Sequence, residues 1–204
     1  MAPMSSTESH YDGDARRTLL VLAARSIAHG LEHRRPLAVE PSDYSEILRA
    51  TRATFVTLNR ADALRGCIGV LEAIRPLVVD VAQNAYAAAF EDPRFPPLRP
   101  DEFAGLDLHI SVLTPSEPLS FHSEADLLAQ IRPGVDGLIL SDRGHRGTFL
   151  PSVWETLPEP GQFLEHLKRK AGLPFGYWSE SVKVARYTTE SFGSTISELF
   201  PAEA

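Results

Sequence analysis

The sequence predicts an α+β fold in which helices flank an antiparallel sheet. The first observation is that strand-like and helix-like segments are interspersed along the chain. The second is that short turn sequences, "NRAD" at 59–62 and "RGHRG" at 143–147, separate neighbouring strand-like segments. Such turns indicate hairpins, whose strands are antiparallel. The third is that strands followed by a helix occur twice, which indicates two similar β/α halves.

The N-terminal part of the chain contains the first predicted helix. Residues 1–13 are small and polar and are expected to form a loose tail. The helix is expected to begin near Asp14, because apolar residues then recur at helical spacing, and to end at Gly30. The segment "RRPLAV" at 34–39 is interpreted as a turn into a short strand.

A predicted hairpin and a second helix follow. Residues 54–58 and 64–71 have strand character, and the first segment is β-branched and aromatic. Pro76 is expected to open the helix, because proline is favoured in a first turn, where its missing N–H would have no partner. The helix is expected to end near Phe90 or Glu91, because the next proline disfavours helical backbone at the residue before it.

The second half of the chain shows the same kinds of pattern. "LDLHISVLT" at 106–114 is a strand pattern, and residues 137–154 are interpreted as a hairpin. An amphipathic helix is expected over 161–174, with a glycine and a proline at its end. Its "KRK" run is interpreted as the solvated side of that helix. "SVKVARYTT" at 181–189 is expected to be the last strand.

Length and charge limit the function classes. The chain has 204 residues, which suits a single domain over 14–204 with room for a smaller lobe. Its net charge of −7 argues against a nucleic-acid partner, which usually requires a basic face. The apolar run near the N-terminus is shorter than the roughly 20 residues of a membrane span, so no membrane partner is expected. One cysteine cannot form an internal disulfide, which fits a cytoplasmic location.

Four motifs resemble those of the AMMECR domain family, whose bacterial members are called system protein A of the AmmeMemoRadiSam set. They are "LRGCIG" at 64–69, "DPRFPPL" at 92–98, "ISVLT" at 110–114, and "FLPSVW" with "FLEHLKRKAGL" within 149–173. The resemblance implies an antiparallel-sheet α+β fold with two similar halves. It also implies genomic company with a Memo-like protein and a radical-SAM enzyme, and it implies no particular reaction. The chain departs from the family pattern at His109 and Ser152.

Cys67 is the candidate catalytic residue. Side chains alternate across a strand, so Leu64, Gly66 and Ile68 are expected to share the core face. Arg65 and Cys67 are then expected on the opposite face, where a guanidinium near the thiol would favour the nucleophilic thiolate. The alternative is that Cys67 is a small buried hydrophobe, because free cysteine is among the most buried residue types.

Arg65 and Arg94 are candidate ligands for an anionic group. Prolines restrict the backbone around Arg94, so its side chain could be preorganised for a carboxylate or phosphate. The two arginines and the thiol would together form a site for an anionic substrate. The alternative is that Phe95 fills the core and Arg94 pairs with Asp92 or Asp101.

His109 is a further candidate ligand residue. It is expected on the strand face opposite the core, where it could act as a base for Cys67. The alternative is a hydrogen-bonded surface histidine. No histidine has metal-ligand spacing with the cysteine, and zinc and dinucleotide motifs do not occur, so neither a metal nor a cofactor is expected.

Two functions are consistent with these residues. The first is an enzyme or enzyme accessory that acts on a small anionic substrate at a cleft around Cys67, in a pathway with Memo-like and radical-SAM proteins. The second is a non-catalytic adaptor that docks onto partner enzymes through its proline-rich and "LPSVW" surfaces. Trp154 would then be the partner-binding anchor.

Overall fold

The computed structural model describes residues 10–201, so residues 1–9 of the predicted tail lie outside the described residues. Of the rest of that tail, Tyr11 is buried and Asp12 caps the first helix. The described chain divides into two compact units. Unit 1 comprises residues 10–113 and 190–201, and unit 2 comprises residues 114–189.

The helices and strands are interspersed as the sequence predicts. In chain order they are α1 (Gly13–His33), α2 (Glu46–Arg49), β1 (Thr54–Arg60), β2 (Ala63–Gly69), α3 (Leu77–Phe90), α4 (Pro100–Phe103), β3 (Leu106–Leu113), β4 (Glu117–Pro118), α5 (Glu124–Gln130), β5 (Gly137–Asp142), β6 (His145–Phe149), α6 (Pro160–Lys170), β7 (Lys183–Tyr187), β8 (Thr189–Thr195) and α7 (Ile196–Leu199). Short 3₁₀ turns occur at Pro41–Asp43 and Pro151–Glu155. The fold class is therefore α+β.

Unit 1 is built on a four-stranded sheet in the order β2-β1-β3-β8. β1 is antiparallel to both β2 and β3. Alternate side chains of β1 and β3 form one buried core with the apolar faces of α1 and α3, which is the helical side of unit 1. The opposite side of the sheet, which we call the outer face, carries mainly polar side chains such as Thr57 and Ser111.

Unit 2 is built on a second four-stranded sheet in the order β4-β7-β5-β6. β5 is antiparallel to both β6 and β7. Its core contains Leu138 and Leu140 from β5, Phe163 from α6, and Trp154 from the preceding 3₁₀ turn. Trp154 stacks on Phe163 with ring centroids 3.7 Å apart.

The two units share one order of construction. Each contains a hairpin, followed by a helix and then by a third strand that pairs with the first strand of the hairpin. These three-strand sets are β1, β2 and β3 in unit 1, and β5, β6 and β7 in unit 2. The predicted two similar β/α halves correspond to this arrangement.

Three sequence-based expectations about elements are wrong. α1 continues past Gly30 to His33, because Gly30 accommodates the rings of Tyr86 and Phe90 and does not end the helix. Residues 34–39 contain no strand. β8 follows β7, the predicted last strand; its glycine and four hydroxyl residues weaken the strand pattern. None of the described helices is long and apolar enough to span a membrane.

Candidate functional site

β2 forms one edge of the unit 1 sheet. It is joined to β1 by a two-residue turn at Ala61 and Asp62, whose φ angles are 48° and 61°. Positive φ at both central residues is the type I′ geometry that suits a tight hairpin. The predicted hairpin turn is confirmed.

A β-bulge interrupts β2 at Arg65. Leu58 on β1 pairs with Gly66 on β2. The next β1 residue, Asn59, pairs with Leu64, which leaves Arg65 as the extra residue. A bulge changes which face the neighbouring side chains occupy. The expectation that Leu64 faces the core is therefore wrong, and its side chain is 42% exposed.

Cys67 lies on the outer face, as predicted. It pairs with Thr57 on β1, and Thr57 Oγ1 lies 3.2 Å from Cys67 Sγ. Both residues are half-buried. The thiol is therefore not a core-filling group, because a core cysteine would be fully buried.

Asp92 and Arg94 hold the backbone of Cys67. The Cys67 N–H donates to Asp92 Oδ2 at 2.8 Å, and Arg94 Nη2 donates to the Cys67 carbonyl oxygen at 3.2 Å. Arg94 also donates from Nη2 and Nε to the two Asp92 oxygens, at 2.6 and 2.9 Å. This Asp92–Arg94 clamp occupies the hydrogen-bonding positions that another strand would use, so it closes the sheet edge at Cys67.

The charges of the clamp stabilise each other. Hydrogen bonds from the Arg94 side chain hold the pKa of Asp92 well below its usual range, outweighing the opposite effect of burial. The pKa of Arg94 is raised, mainly by its hydrogen bonds to Asp92 and to a smaller extent by the neighbouring Cys67 side chain. The Arg94 side chain is 54% exposed. A positive charge therefore lies beside the thiol and is open to solvent.

Arg65 pairs with Glu102 on α4. Its Nε and Nη2 donate to the two Glu102 oxygens at 2.9 and 3.0 Å, and Nη2 also donates to the Pro96 carbonyl oxygen at 3.0 Å. Hydrogen bonding by Arg65 is the main cause that lowers the pKa of Glu102 to about 2. Both side chains are close to fully buried. Within residues 10–201, Arg65 Nη1 is buried without a hydrogen-bond acceptor. Arg65 thus joins β2 to α4 and is not an open cation.

His109 lies two strands away from Cys67. Thr57 pairs with Cys67 on one side and with His109 on the other, which separates the two by roughly 10 Å. The His109 ring packs over Gly193 on β8, where an added Cβ would lie 2.4 Å from Nδ1. His109 is exposed on the outer face as predicted, but the structure does not bring it within hydrogen-bond reach of the thiol.

Gly66 allows the backbone of α3 to contact β2 directly. A Cβ at this position would lie 2.0 Å from the Ala88 carbonyl oxygen of α3. The glycine beside Cys67 is therefore explained by close backbone packing on the helical side. Phe95, the expected core residue, is half-buried, and Leu98 is the buried apolar residue of this segment.

Trp154 is not at the surface. It is buried in the unit 2 core, and its Nε1–H donates to the Asp136 carbonyl oxygen at 2.8 Å. Because both the ring and its polar atom have partners inside the unit, the structure does not support Trp154 as a partner-binding anchor. Among residues 10–201, no three histidine, cysteine, aspartate or glutamate side chains form a group that could hold a metal ion.

Two carboxylates that organise the site, Asp92 and Glu102, are absent from the predicted site residues. The signal for the first was present, because an aspartate two residues before Arg94 can form a local ion pair. Glu102 Oε2 accepts a hydrogen bond from the Arg99 N–H at 2.9 Å at the start of α4, which is a local contact. Its contact with Arg65 spans 37 residues, and no local pattern indicates it.

Comparison with known proteins places these residues in a family. The family model AMMECR1 matches residues 20–192. A protein of Methanothermobacter thermautotrophicus is 40% identical over 183 residues, which cover 88% of this chain and 94% of that protein. A protein of Methanocaldococcus jannaschii is 34% identical, covering 86% of this chain and 88% of that protein.

A solved structure agrees with the fold. The crystal structure of an uncharacterized protein from Pyrococcus horikoshii matches with a TM-score of 0.82 and 36% identity. The match covers 90% of this chain and 93% of that chain. The chain therefore belongs to the AMMECR1 family.

Proposed function

We propose that the protein binds a small anionic substrate on the outer face of unit 1 and acts on it through Cys67, as an enzyme or enzyme accessory. The observation that carries the proposal is the position of Arg94. Its guanidinium donates to the Cys67 carbonyl oxygen and lies beside the thiol, and the Arg94 side chain is 54% exposed. A substrate carboxylate or phosphate would form charge-assisted hydrogen bonds there, next to the reactive group.

The residues around Arg94 have distinct roles in this proposal. Cys67 is the nucleophile or a thiolate ligand, and the Thr57 hydroxyl can donate a hydrogen bond to its sulfur. Asp92 holds both the guanidinium and the Cys67 backbone, so the site is preorganised before a substrate arrives. Arg65 contributes by fixing the strand to α4, not by binding the substrate.

In this proposal His109 contacts the substrate only if the substrate is long. It shares the outer face with Cys67 and Thr57, in one row across three strands. A ligand bound at Arg94 and extended along this row would reach His109 roughly 10 Å beyond Cys67. We therefore assign His109 to contact with the far end of such a ligand.

The wider setting of the proposal is a cytoplasmic pathway. The resemblance of the four motifs supports Memo-like and radical-SAM proteins as functional partners. A single cysteine, which forms no internal disulfide, supports a reducing compartment. The net charge of −7 supports a small-molecule substrate over a nucleic acid.

A non-catalytic adaptor is the second candidate function, and one surface residue favours it. Phe175 in unit 2 is 83% exposed. Its turn is braced, because the Gly176 N–H donates to Glu165 Oε1 at 2.8 Å and the Tyr177 hydroxyl donates to Asp142 Oδ2 at 2.5 Å. An exposed aromatic side chain on a braced turn is suited to be an interface hot spot. The adaptor hypothesis therefore shifts from Trp154 to Phe175.

Thermal unfolding in the presence of a panel of small carboxylates and phosphates tests the first proposal. A bound compound at a hundredfold excess over its dissociation constant stabilises the folded state by about 2.7 kcal/mol. We expect at least one compound to raise the melting temperature of the wild type and of the control Arg49→Gln, which changes an exposed arginine on α2, and to lose its effect in Arg94→Gln. The proposal would be contradicted if no compound stabilised the wild type, or if a compound stabilised the control variant and Arg94→Gln equally.

Binding of a purified Memo-like protein separates the two functions. The adaptor predicts that Phe175→Ala abolishes this binding while Cys67→Ala retains it. The enzyme proposal predicts that Cys67→Ala loses turnover of any compound found in the panel, whereas Phe175→Ala retains that turnover.

A further inference from the structure

We propose that the helical side of unit 1 carries a second binding site, for a small organic anion with a flat apolar body. The site is a groove of about 490 Å³ at the C-terminal ends of α1 and α3, closed on one side by residues 97–100. Its floor is formed by Gly30, Tyr86, Phe90 and Leu98, and its rim carries Arg34 and Arg99. We call it the α1–α3 groove.

The floor of the groove is aromatic. Gly30 lets the two rings lie directly on the α1 backbone, because an added Cβ would be 2.4 Å from Phe90 Cε2 and 2.7 Å from Tyr86 Cδ2. The rings of Tyr86 and Phe90 lie side by side, with centroids 4.9 Å apart and an interplanar angle of 38°. Half-buried rings of this kind bind flat apolar groups by stacking.

Arg34 occupies a backbone position that normally favours glycine. It is the residue that ends α1, with φ 54° and ψ 38°, in the left-handed region. Its N–H donates to the Gly30 carbonyl oxygen at 3.0 Å, and its carbonyl accepts from the Tyr86 hydroxyl at 2.9 Å. Glycine commonly ends helices in this conformation, and most other residues are strained there. An arginine at such a position points to a use for its side chain.

The charge at the rim selects an anion. Within the part of the chain that the structure describes, Arg34 has no ion-pair partner, whereas Arg99 pairs with Asp101 at 3.1 Å. The groove therefore combines an apolar floor with an uncompensated positive charge. Its volume of about 490 Å³ lies within the range of about 300–1,000 Å³ typical of small-molecule sites.

Isothermal titration with three probes tests the site. 2-Naphthyl phosphate has both the flat apolar body and the anion, 2-naphthol has only the ring system, and inorganic phosphate has only the charge. We expect saturable binding of 2-naphthyl phosphate, with each of the other two probes binding at least about tenfold more weakly.

Arg34→Gly is a clean variant for this test, because glycine fits the left-handed backbone and should leave the melting temperature unchanged or higher. We expect it to weaken 2-naphthyl phosphate binding at least about tenfold. Arg34→Gln should weaken it similarly, because it removes only the charge. The matched control Arg35→Gln, at the next residue, and Arg94→Gln, which removes the anion site proposed on the outer face, should both bind the probe like the wild type.

Four outcomes would overturn the proposal. They are absence of saturable 2-naphthyl phosphate binding, equal binding by Arg34→Gly, inorganic phosphate binding as tightly as the naphthyl ester, and loss of binding in Arg94→Gln. The last result would place the probe on the outer face of the sheet.

Discussion

Units 1 and 2 use one framework to build two different surfaces. In both, a glycine on the second hairpin strand pairs with a buried leucine and lies against the C-terminal end of the following helix. These sets are Gly66 with Leu58 and Ala88, and Gly147 with Leu140 and Ala171. The repeated glycine shows that close packing of helix on hairpin is a requirement of the framework.

The residue after this glycine distinguishes the units. In unit 2 it is Thr148, whose hydroxyl donates to the Leu138 carbonyl oxygen at 2.9 Å and lies 3.1 Å from the Tyr187 hydroxyl. In unit 1 it is Cys67, which is held from the sheet edge by the Asp92–Arg94 clamp. In unit 2 the side chain at this position forms hydrogen bonds within the sheet, whereas in unit 1 it is a thiol that lies beside a cation.

Adding a methyl group to each glycine tests the shared framework and should have the largest effect. The Cβ of Gly66→Ala would lie 2.0 Å from a carbonyl oxygen, whereas that of Gly147→Ala would lie 2.8 Å from its nearest neighbour. We expect Gly66→Ala to lower the free energy of unfolding by more than about 3 kcal/mol and Gly147→Ala by about 1–3 kcal/mol. Urea unfolding followed by circular dichroism measures both. A larger loss for Gly147→Ala than for Gly66→Ala, or no loss for either variant, would contradict this account of the glycines.

Removing Glu102 tests the attachment of the unit 1 strand. Glu102→Gln leaves Arg65 buried with a weakened partner, so we expect a loss of about 3 kcal/mol at neutral pH. Asp101→Asn is the control, because Asp101 is exposed and should change the urea midpoint very little. A wild-type midpoint for Glu102→Gln would contradict the structural role given to this ion pair.

The same variant should change the response to acid. The folded pKa of Glu102 is lowered from 4.5 to about 2, so its contribution to stability is complete above pH 4.5 and is lost as the pH falls toward 2. The lowered pKa of Asp92 acts in the same direction. We therefore expect stability to fall less steeply over this window in Glu102→Gln than in the wild type. Equal slopes would contradict the assignment.

A buried cation in unit 2 provides a smaller effect. Lys168 is buried, and its Nζ lies 2.6 Å from Glu124 Oε1 and 3.4 Å from Glu165 Oε2. Lys168→Met should cost about 2 kcal/mol, because the two carboxylates it leaves keep some contact with water. Both tryptophans lie in unit 2, so tryptophan fluorescence during urea unfolding measures this change. The control is Arg169→Met, at the exposed neighbouring residue, which should change the stability very little. Equal losses of stability in the two variants would mean that removing any positive charge from this helix has the same effect, and would contradict a special role for Lys168.

Substitutions in the hairpin turns should have the smallest effect on stability. Ala61 in unit 1 has a φ of 48°, whereas Gly144 in unit 2 has a φ of 87°. Because left-handed backbone is strained for alanine, Ala61→Gly should stabilise the protein by about 0.5–1 kcal/mol, and Gly144→Ala should destabilise it by at least as much. Calorimetric melting temperatures that shift in the same direction for both variants would contradict this account.

Local chemistry explains which parts of the fold were predictable. The turn at 59–62, the proline before α3 and the amphipathic pattern of α6 each depend on neighbouring residues, and all three elements are present. The prediction that Gly30 ends α1 is wrong because a glycine is needed there for contact with two rings more than fifty residues away in the sequence. The burial of Lys168 likewise depends on Glu124 on another helix, so the "KRK" pattern could not separate it from the exposed residues beside it.

The same distinction between local and long-range contacts applies to the candidate site. Alternation along the strand correctly placed Cys67 and His109 on the outer face. It failed at Leu64, because the bulge at Arg65 depends on pairing with β1. The sequence also made Arg65 and Arg94 look equivalent. The structure separates them, because Arg65 is buried against Glu102 while Arg94 stays half-exposed beside the thiol.

Because the Arg94 guanidinium lies beside it, Cys67 should react preferentially with anionic reagents. This preference is measured by the ratio of alkylation rates with iodoacetate, which is anionic, and iodoacetamide, which is neutral, each divided by the rate in the urea-unfolded protein. We predict that this ratio exceeds one in the folded wild type and in Arg99→Gln, and returns to about one in Arg94→Gln. An unreactive thiol in the folded protein, or the same ratio in wild type and Arg94→Gln, would contradict the claim.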